Sequence, residues 1–261
     1  MRLLPTSAVV LPESPANASW LWQVGLAYSA GLFASNVDFS RPSADYNSAL
    51  GINSPALTRA AAAEYQSREQ PGLSQRLRLR LSRPLHGHWR LSSGFEIAQQ
   101  QSRSTTSYHF TGDQIPDLSQ SAGSGPARST QARYRTAGLP LELSYANPAK
   151  PGWSLYGRLG VAISARLSVR TEVAGVAEAT RAYGLFAPTS PYRALLGTAH
   201  GAAGVRLRPT GHAYTLHLGP VVEGGLWSLN ADPAQSLLRQ SRPYSFGLEA
   251  GVEFGRSRPK L

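Results

Sequence analysis

The chain of 261 residues contains no cysteine, which excludes a disulfide framework and any thiolate metal site. Charged residues make up only 16%, below the roughly 25% of an ordinary soluble domain. Lysine occurs only at Lys150 and Lys260, so the net charge of +11 is an arginine charge. No run of about 18 apolar residues exists, which excludes a transmembrane helix. Metal-binding HExxH and nucleophile-elbow GxSxG patterns are missing, as is any His-x-Ser pair. The first 19 residues carry one arginine and an apolar stretch broken by Pro5 and Pro12, too short for a secretory leader. An exported protein with this sequence is expected to take its export signal from outside this chain.

What is present is period-two alternation. From Gly152 to Arg170, Trp153, Leu155, Leu159, Val161, Ile163, Leu167 and Val169 alternate with Ser154, Arg158, Ser164, Arg166, Ser168 and Arg170. Side chains of a strand point alternately to its two faces, so this stretch has one apolar face and one arginine-bearing face. At about 3.3 Å per residue it is far longer than the usual strand of about 5–6 residues. The same pattern returns seven more times, predicting strands near 20–33, 72–82, 88–109, 130–146, 198–208, 213–227 and 244–255. Pro140 interrupts one of them, and a bulge is expected there because proline cannot donate to a ladder. Connections alternate long, short, long, with 171–197 read as a single long loop and a short helix expected after Ser54. Trp20, Trp22, Trp89, Tyr145, Trp153, Tyr214 and Phe254 fall near the short-turn ends of apolar faces, while Tyr28, Phe33, Trp227 and Tyr244 lie toward the long-loop ends. An even strand count, unequal loops and aromatic girdles together predict an all-β, eight-stranded antiparallel up-and-down transmembrane β-barrel over 19–256. Residues 1–18 form a lead-in and 257–261 a basic tail. Strands 1 and 8 are expected to pair, because an open edge is not tolerated in lipid.

Runs such as WSLYGRLGVAISARL and YSFGLEAGVEF resemble the small eight-stranded outer-membrane barrels, the broad group that includes the OmpA transmembrane domain, OmpX and the PorT-like families. The resemblance covers about residues 19 to 256. It implies a location in the bacterial outer membrane and carries over no catalytic residue. Barrels of this group usually end on an aromatic residue, whereas Phe254 stands seven residues before the end of this chain.

The polar faces gather Arg76, Arg78, Arg80, Arg90, Arg158, Arg166 and Arg206 with Glu96, Glu142, Glu223, Glu249 and Glu253. Eight strands enclose only enough room for side chains, and buried charge must be paired. The expectation is an interior plugged by Arg/Glu salt bridges, the other reading being a gated, narrow ion path. Beyond the membrane, 99–108, 129–136 and 166–172 are polar and rich in arginine. They predict a protruding three-stranded sheet, or else irregular loop. Its Arg103, Arg133, Arg135 and Arg170 would contact lipopolysaccharide phosphates, and its edge would suit a protein partner. Interleaving of the arginines along strands argues against nucleic acid. No cofactor or metal is expected; His86, His88, His109, His200, His212 and His217 show no ligand spacing. The role is therefore read as structural or binding, through the outer loops, without enzymatic activity. Two alternatives stay open. One is a soluble lipocalin-like barrel holding an apolar ligand. The other is a lipid-modifying enzyme, for which the segment Ser102 to Ser107 with His109 is the nearest candidate.

Overall fold

The computed structural model describes residues 22–36, 64, 67–85, 87–106, 127–146, 152–185, 187–188, 190–229 and 242–255. The lead-in, the tail, Trp20 and most of the expected helix lie outside the described residues. Near its expected end, Arg68 N–H donates to the Glu64 carbonyl at 3.1 Å.

The described residues form nine strands: β1 (Gln23–Ala34), β2 (Gln70–Pro84), β3 (Trp89–Thr106), β4 (Arg128–Ala146), β5 (Gly152–Val173), β6 (Val176–Gly184), β7 (Leu195–Arg208), β8 (Tyr214–Gly225) and β9 (Tyr244–Phe254). Eight of them close into an antiparallel barrel in the order β1-β2-β3-β4-β5-β7-β8-β9, with β1 pairing β9 along its length from Val24↔Phe254 to Ala34↔Tyr244. Closure removes the sheet edge, which lipid requires.

Parity decides the two surfaces. Leu79, Leu141, Leu159, Leu216 and Leu248 are exposed on the outside, whereas Arg78, Glu142, Arg158 and Glu249 are buried inside. An apolar exterior this large far exceeds the few hundred Å² that a soluble monomer tolerates. A lipocalin-like barrel needs the opposite arrangement, so that alternative fails. At the short-turn ends, Trp22, Trp89, Tyr145, Trp153 and Phe254 stand exposed, and Trp89 meets Tyr145 edge-on at 5.1 Å.

Four expectations are corrected. First, 171–197 is not one loop: Val173 pairs Val176 across Ala174-Gly175, and β6 folds back on β5. Gly175 has φ +78, which a two-residue hairpin turn needs. Second, the bulge is not at Pro140, where the ladder keeps register as Pro140↔Ala162 and the Ser93 hydroxyl donates to the Pro140 carbonyl at 2.9 Å. It lies on β5, where Thr136 pairs Arg166 but Arg135 pairs Ser168, leaving Leu167 as the extra residue. Third, this extra residue exchanges the faces of β5. Val169 points inward and is 1% exposed, although the alternation alone puts it outside, while Arg170 turns outward. Phe33, also expected at the outer girdle, is likewise buried inside. Fourth, the protruding sheet has four strands, β3-β4-β5-β6, rather than three.

The exchange has a physical reason. Below the bulge the wall faces lipid and must be apolar outside; above it the wall faces water and must be apolar inside. Phe33, Tyr134, Val169, Tyr183, Tyr192, Leu196 and Leu229 accordingly pack as a hydrophobic core within the outer mouth.

Candidate functional site

Two regions gather chemistry: the barrel interior and the outer face of the protruding sheet. In the interior, the alternating arginines of β2 run up one wall and meet glutamates from four other strands. Glu142 on β4 takes Arg78 Nη1 at 2.7 Å, Arg80 Nε at 2.9 Å and Arg158 Nε at 3.4 Å. Glu249 on β9 takes Arg158 Nη2 at 2.7 Å, with Arg80 Nη2 at 3.5 Å. Glu96 on β3 receives Arg78 Nη2 at 2.8 Å and has Arg76 at 3.6 Å. Arg76 also pairs Glu223 on β8. Toward the short-turn end, Glu253 faces Arg206 at 3.2 Å, Arg90 at 3.5 Å and Arg80 at 3.7 Å, and Arg90 donates to Gln23 Oε1 at 2.5 Å. One connected network thus draws charge from β2, β3, β4, β5, β7, β8 and β9, and a planar guanidinium is the group able to bridge two carboxylates within it.

Arg166 departs from the expected set. It is buried, but among the described residues it meets no carboxylate; it donates to Ser190 Oγ, and its Nη2 lies 3.5 Å from the Leu185 carbonyl. Its own N–H bonds the Ala194 carbonyl at 2.9 Å. Arg166 therefore holds the segment that carries Tyr192 across the mouth, where Tyr192 meets Tyr134 at 5.8 Å and Tyr183 at 6.0 Å.

Two histidines, named above only for their lack of ligand spacing, belong to the interior. His200 Nε2 lies 2.8 Å from Glu142 Oε1, and His217 Nε2 lies 3.2 Å from Glu249 Oε1. Glycines opposite them supply the room. A Cβ at Gly160 would sit 2.7 Å from His200 Nε2, and one at Gly251 would sit 2.4 Å from His217 Cε1. The signal was available, since His200 shares parity with Arg206 and His217 with Glu223. Both rings are buried, and His217 meets Tyr156 edge-on at 5.7 Å. Among the described residues no cluster of three His, Cys, Asp or Glu side chains could hold a metal ion. His109 and Ser107 lie outside the described residues, whereas Ser102 and Ser104 are buried on β3.

On the outer face, Arg103, Arg133, Arg135 and Arg170 all project away from the aromatic core. Arg133 lies directly opposite Arg170. Arg170 pairs Glu172 at 2.5 Å, and Arg135 Nε donates to Gln99 Oε1 at 3.0 Å. Arg103 stands opposite Gln131, whose amide donates to Gln101 at 3.0 Å.

No protein-family model matches the sequence. A comparison with curated proteins also returned no match. Among solved structures, the fold is similar to Neisserial surface protein A at 10% identity, covering 90% of this chain and 97% of that one with a TM-score of 0.41. It is also similar to the N-terminal β-barrel domain of Pseudomonas aeruginosa OprF, at 9% identity over 89% and 97% of the two chains with a TM-score of 0.33. The attachment invasion locus protein Ail of Yersinia pestis matches at 12% identity over 90% and 99%, with a TM-score of 0.28. Likenesses of this size assign neither a family nor an activity. The protein is a closed, membrane-spanning β-barrel on the strength of its own sheet closure and apolar exterior.

Proposed function

We propose that this chain is an outer-membrane barrel of a Gram-negative bacterium that conducts nothing and acts by binding through the sheet it holds outside the membrane. The observation that carries this reading is the double obstruction of the lumen. An aromatic core fills the outer mouth, and a charge network fills the middle. Among the described residues, two small interior cavities beside Arg76 and Glu223 measure about 30 and 20 Å³, room for about one water each. That favours the plug over the gated ion path. Nor does the interior favour an enzyme: its carboxylate–histidine pairs are sealed from both solvent and lipid.

The basic face of the protruding sheet is then the working surface. Guanidinium groups suit phosphate oxygens, and Arg103, Arg133, Arg135 and Arg170 face the side on which lipopolysaccharide lies. A protein partner remains the second proposal, since β6 pairs only β5 among the described residues and strand addition could extend its other edge. The test is a pair of measurements on the refolded barrel. Planar-bilayer recordings should show no stepwise conductance. Binding to lipopolysaccharide micelles should fall when the four arginines are replaced by glutamine. Discrete channel openings, or binding indifferent to all four arginines, would refute the reading.

A further inference from the structure

The wall that carries the arginines also carries a groove. On the lipid-facing side, two successive rows of residues cross the strands. One runs Leu143–Leu159–Gly201–Val222, the other Leu141–Val161–Ala199–Gly224. In each, large side chains of β4 and β5 stand beside small ones of β7. Leu159 is 73% exposed and lies opposite Gly201. The result is a shallow apolar depression of about 850 Å³, open to lipid along its length. A Cβ at Gly201 would come 3.2 Å from Leu159 Cδ2 and 3.8 Å from Val222 Cγ2, so the missing side chain is what keeps the groove open.

Above the groove, the β4–β5 seam continues through Leu139↔Ile163 and Ala137↔Ala165, then reaches Arg135 and the pair Arg133↔Arg170. Arg135 is two residues beyond Ala137, about 7 Å along the strand, so it stands at the upper edge of the apolar belt where lipid headgroups lie. Like charges directly opposite one another destabilise a sheet. Glu172 answers Arg170, but among the described residues no carboxylate pairs with Arg133. A site with three guanidinium groups and one carboxylate at headgroup depth, above an acyl-sized groove, is complementary to a multiply charged, phosphorylated amphiphile.

We propose that this wall seats one molecule of the lipid A class, with a phosphate on Arg133, Arg135 and Arg170 and an acyl chain in the groove along β7. The proposal rests on the phosphate-binding reading of the outer arginines and adds to it an acyl seat and a single bound molecule. It also accounts for the small residues Ala199 and Gly201 at the centre of β7, which leave packing within the sheet that an acyl chain would supply.

The experiment uses the refolded full chain in neutral detergent, titrated with lipid A, with its deacylated phosphorylated disaccharide and with phosphatidylglycerol. Unheated gel mobility confirms that each variant is folded. Wild type should bind lipid A about tenfold or more tighter than phosphatidylglycerol, because the headgroup makes added charge-assisted contacts. Arg133→Gln with Arg170→Gln should weaken both lipid A and the disaccharide about tenfold. Ala199→Leu, or Gly201→Val as a second groove-filling variant, should weaken lipid A by a similar factor and leave the disaccharide unchanged. Groove variants that bind lipid A as wild type does would overturn the acyl seat while leaving the phosphate face standing. Arginine variants that bind both ligands as wild type does would overturn the phosphate face, and this site with it. Groove variants that abolish cross-linking between barrels in a bilayer, with lipid A binding unchanged, would reassign the groove to a second copy of the chain and overturn the proposal.

Discussion

Replacing Glu142 with glutamine should be among the most damaging single changes to this barrel. The substitution keeps shape and volume and removes one charge. In the native chain that carboxylate is 1% exposed and takes Arg78 at 2.7 Å, Arg80 at 2.9 Å, Arg158 at 3.4 Å and His200 at 2.8 Å. An amide offers one acceptor oxygen where there were two, and it turns an NH2 group toward guanidinium groups that can only donate. Breaking a buried ion pair from one side costs about 3–5 kcal/mol, because the partner charge stays buried without compensation. Glu142→Gln is therefore expected to lose about that much. The comparison is Glu172→Gln, which removes a carboxylate at a similarly short distance from Arg170, 2.5 Å, but with both side chains about half exposed. That loss should be below about 1 kcal/mol, since water screens the pair. The assay is reversible urea unfolding in lipid vesicles, followed by tryptophan fluorescence. Adding Arg78→Met to Glu142→Gln should cost less than the sum of the two single changes, because one uncompensated cation leaves with the anion's charge. Equal losses for Glu142→Gln and Glu172→Gln, or strict additivity with Arg78→Met, would show that the interior charges are solvated and that the network does not hold the barrel.

Leu159→Arg puts a charge on the lipid face near mid-membrane and should cost about 2–4 kcal/mol, measured by the same unfolding assay; a neutral effect would mean that the face assignment is wrong. Tyr134→Ala removes the centre of the mouth core, which contacts Phe33 at 5.9 Å and Tyr192 at 5.8 Å; it should cost about 3–5 kcal/mol, yet planar bilayers should stay silent because the charge network below is intact. Stepwise conductance in that variant would make the aromatic core a gate. Amides of 100–106 and 130–136 are paired in the ladder and should exchange with deuterium far more slowly than free peptide; exchange at the free-peptide rate would remove the protruding sheet.

Why most of the barrel could be read from the sequence while its upper third could not follows from what enforces each part. Below the bulge, lipid on one side and charge on the other punish any residue of the wrong kind, so alternation is nearly pure. Arg76, Arg78 and Arg80 against Leu77, Leu79 and Leu81 leave no ambiguity of face. Above it, water accepts polar residues outside and a small apolar core forms inside, so the sense of the alternation reverses. The reversal costs a single residue, Leu167, with no glycine or proline to mark it. The alternation through Val169 therefore continues to look regular in sequence while its faces exchange. β6 was hidden for a related reason: Val176 to Gly184 carries Glu178, Arg181 and three alanines, a poor strand by composition. Its turn, Ala174-Gly175 between Val173 and Val176, was the available signal, since two residues ending in glycine between valines are hairpin chemistry. The same reversal explains why the outer arginines could be placed. Gln99, Arg133, Arg135 and Arg170 are the residue types a sheet can show to water, and once the bulge turns Arg170 outward they share one face. Arg166, one residue before the extra leucine, keeps the inward direction and becomes the anchor of the mouth instead of a member of the carboxylate network. A deletion of Leu167 would test this directly: Ser168 then follows Arg166 in regular alternation and keeps its place opposite Arg135, so Val169 should stay in the aromatic core, Arg170 should stay outside and the protruding sheet should keep its protected amides; loss of that protection would show that Leu167 is not an extra residue.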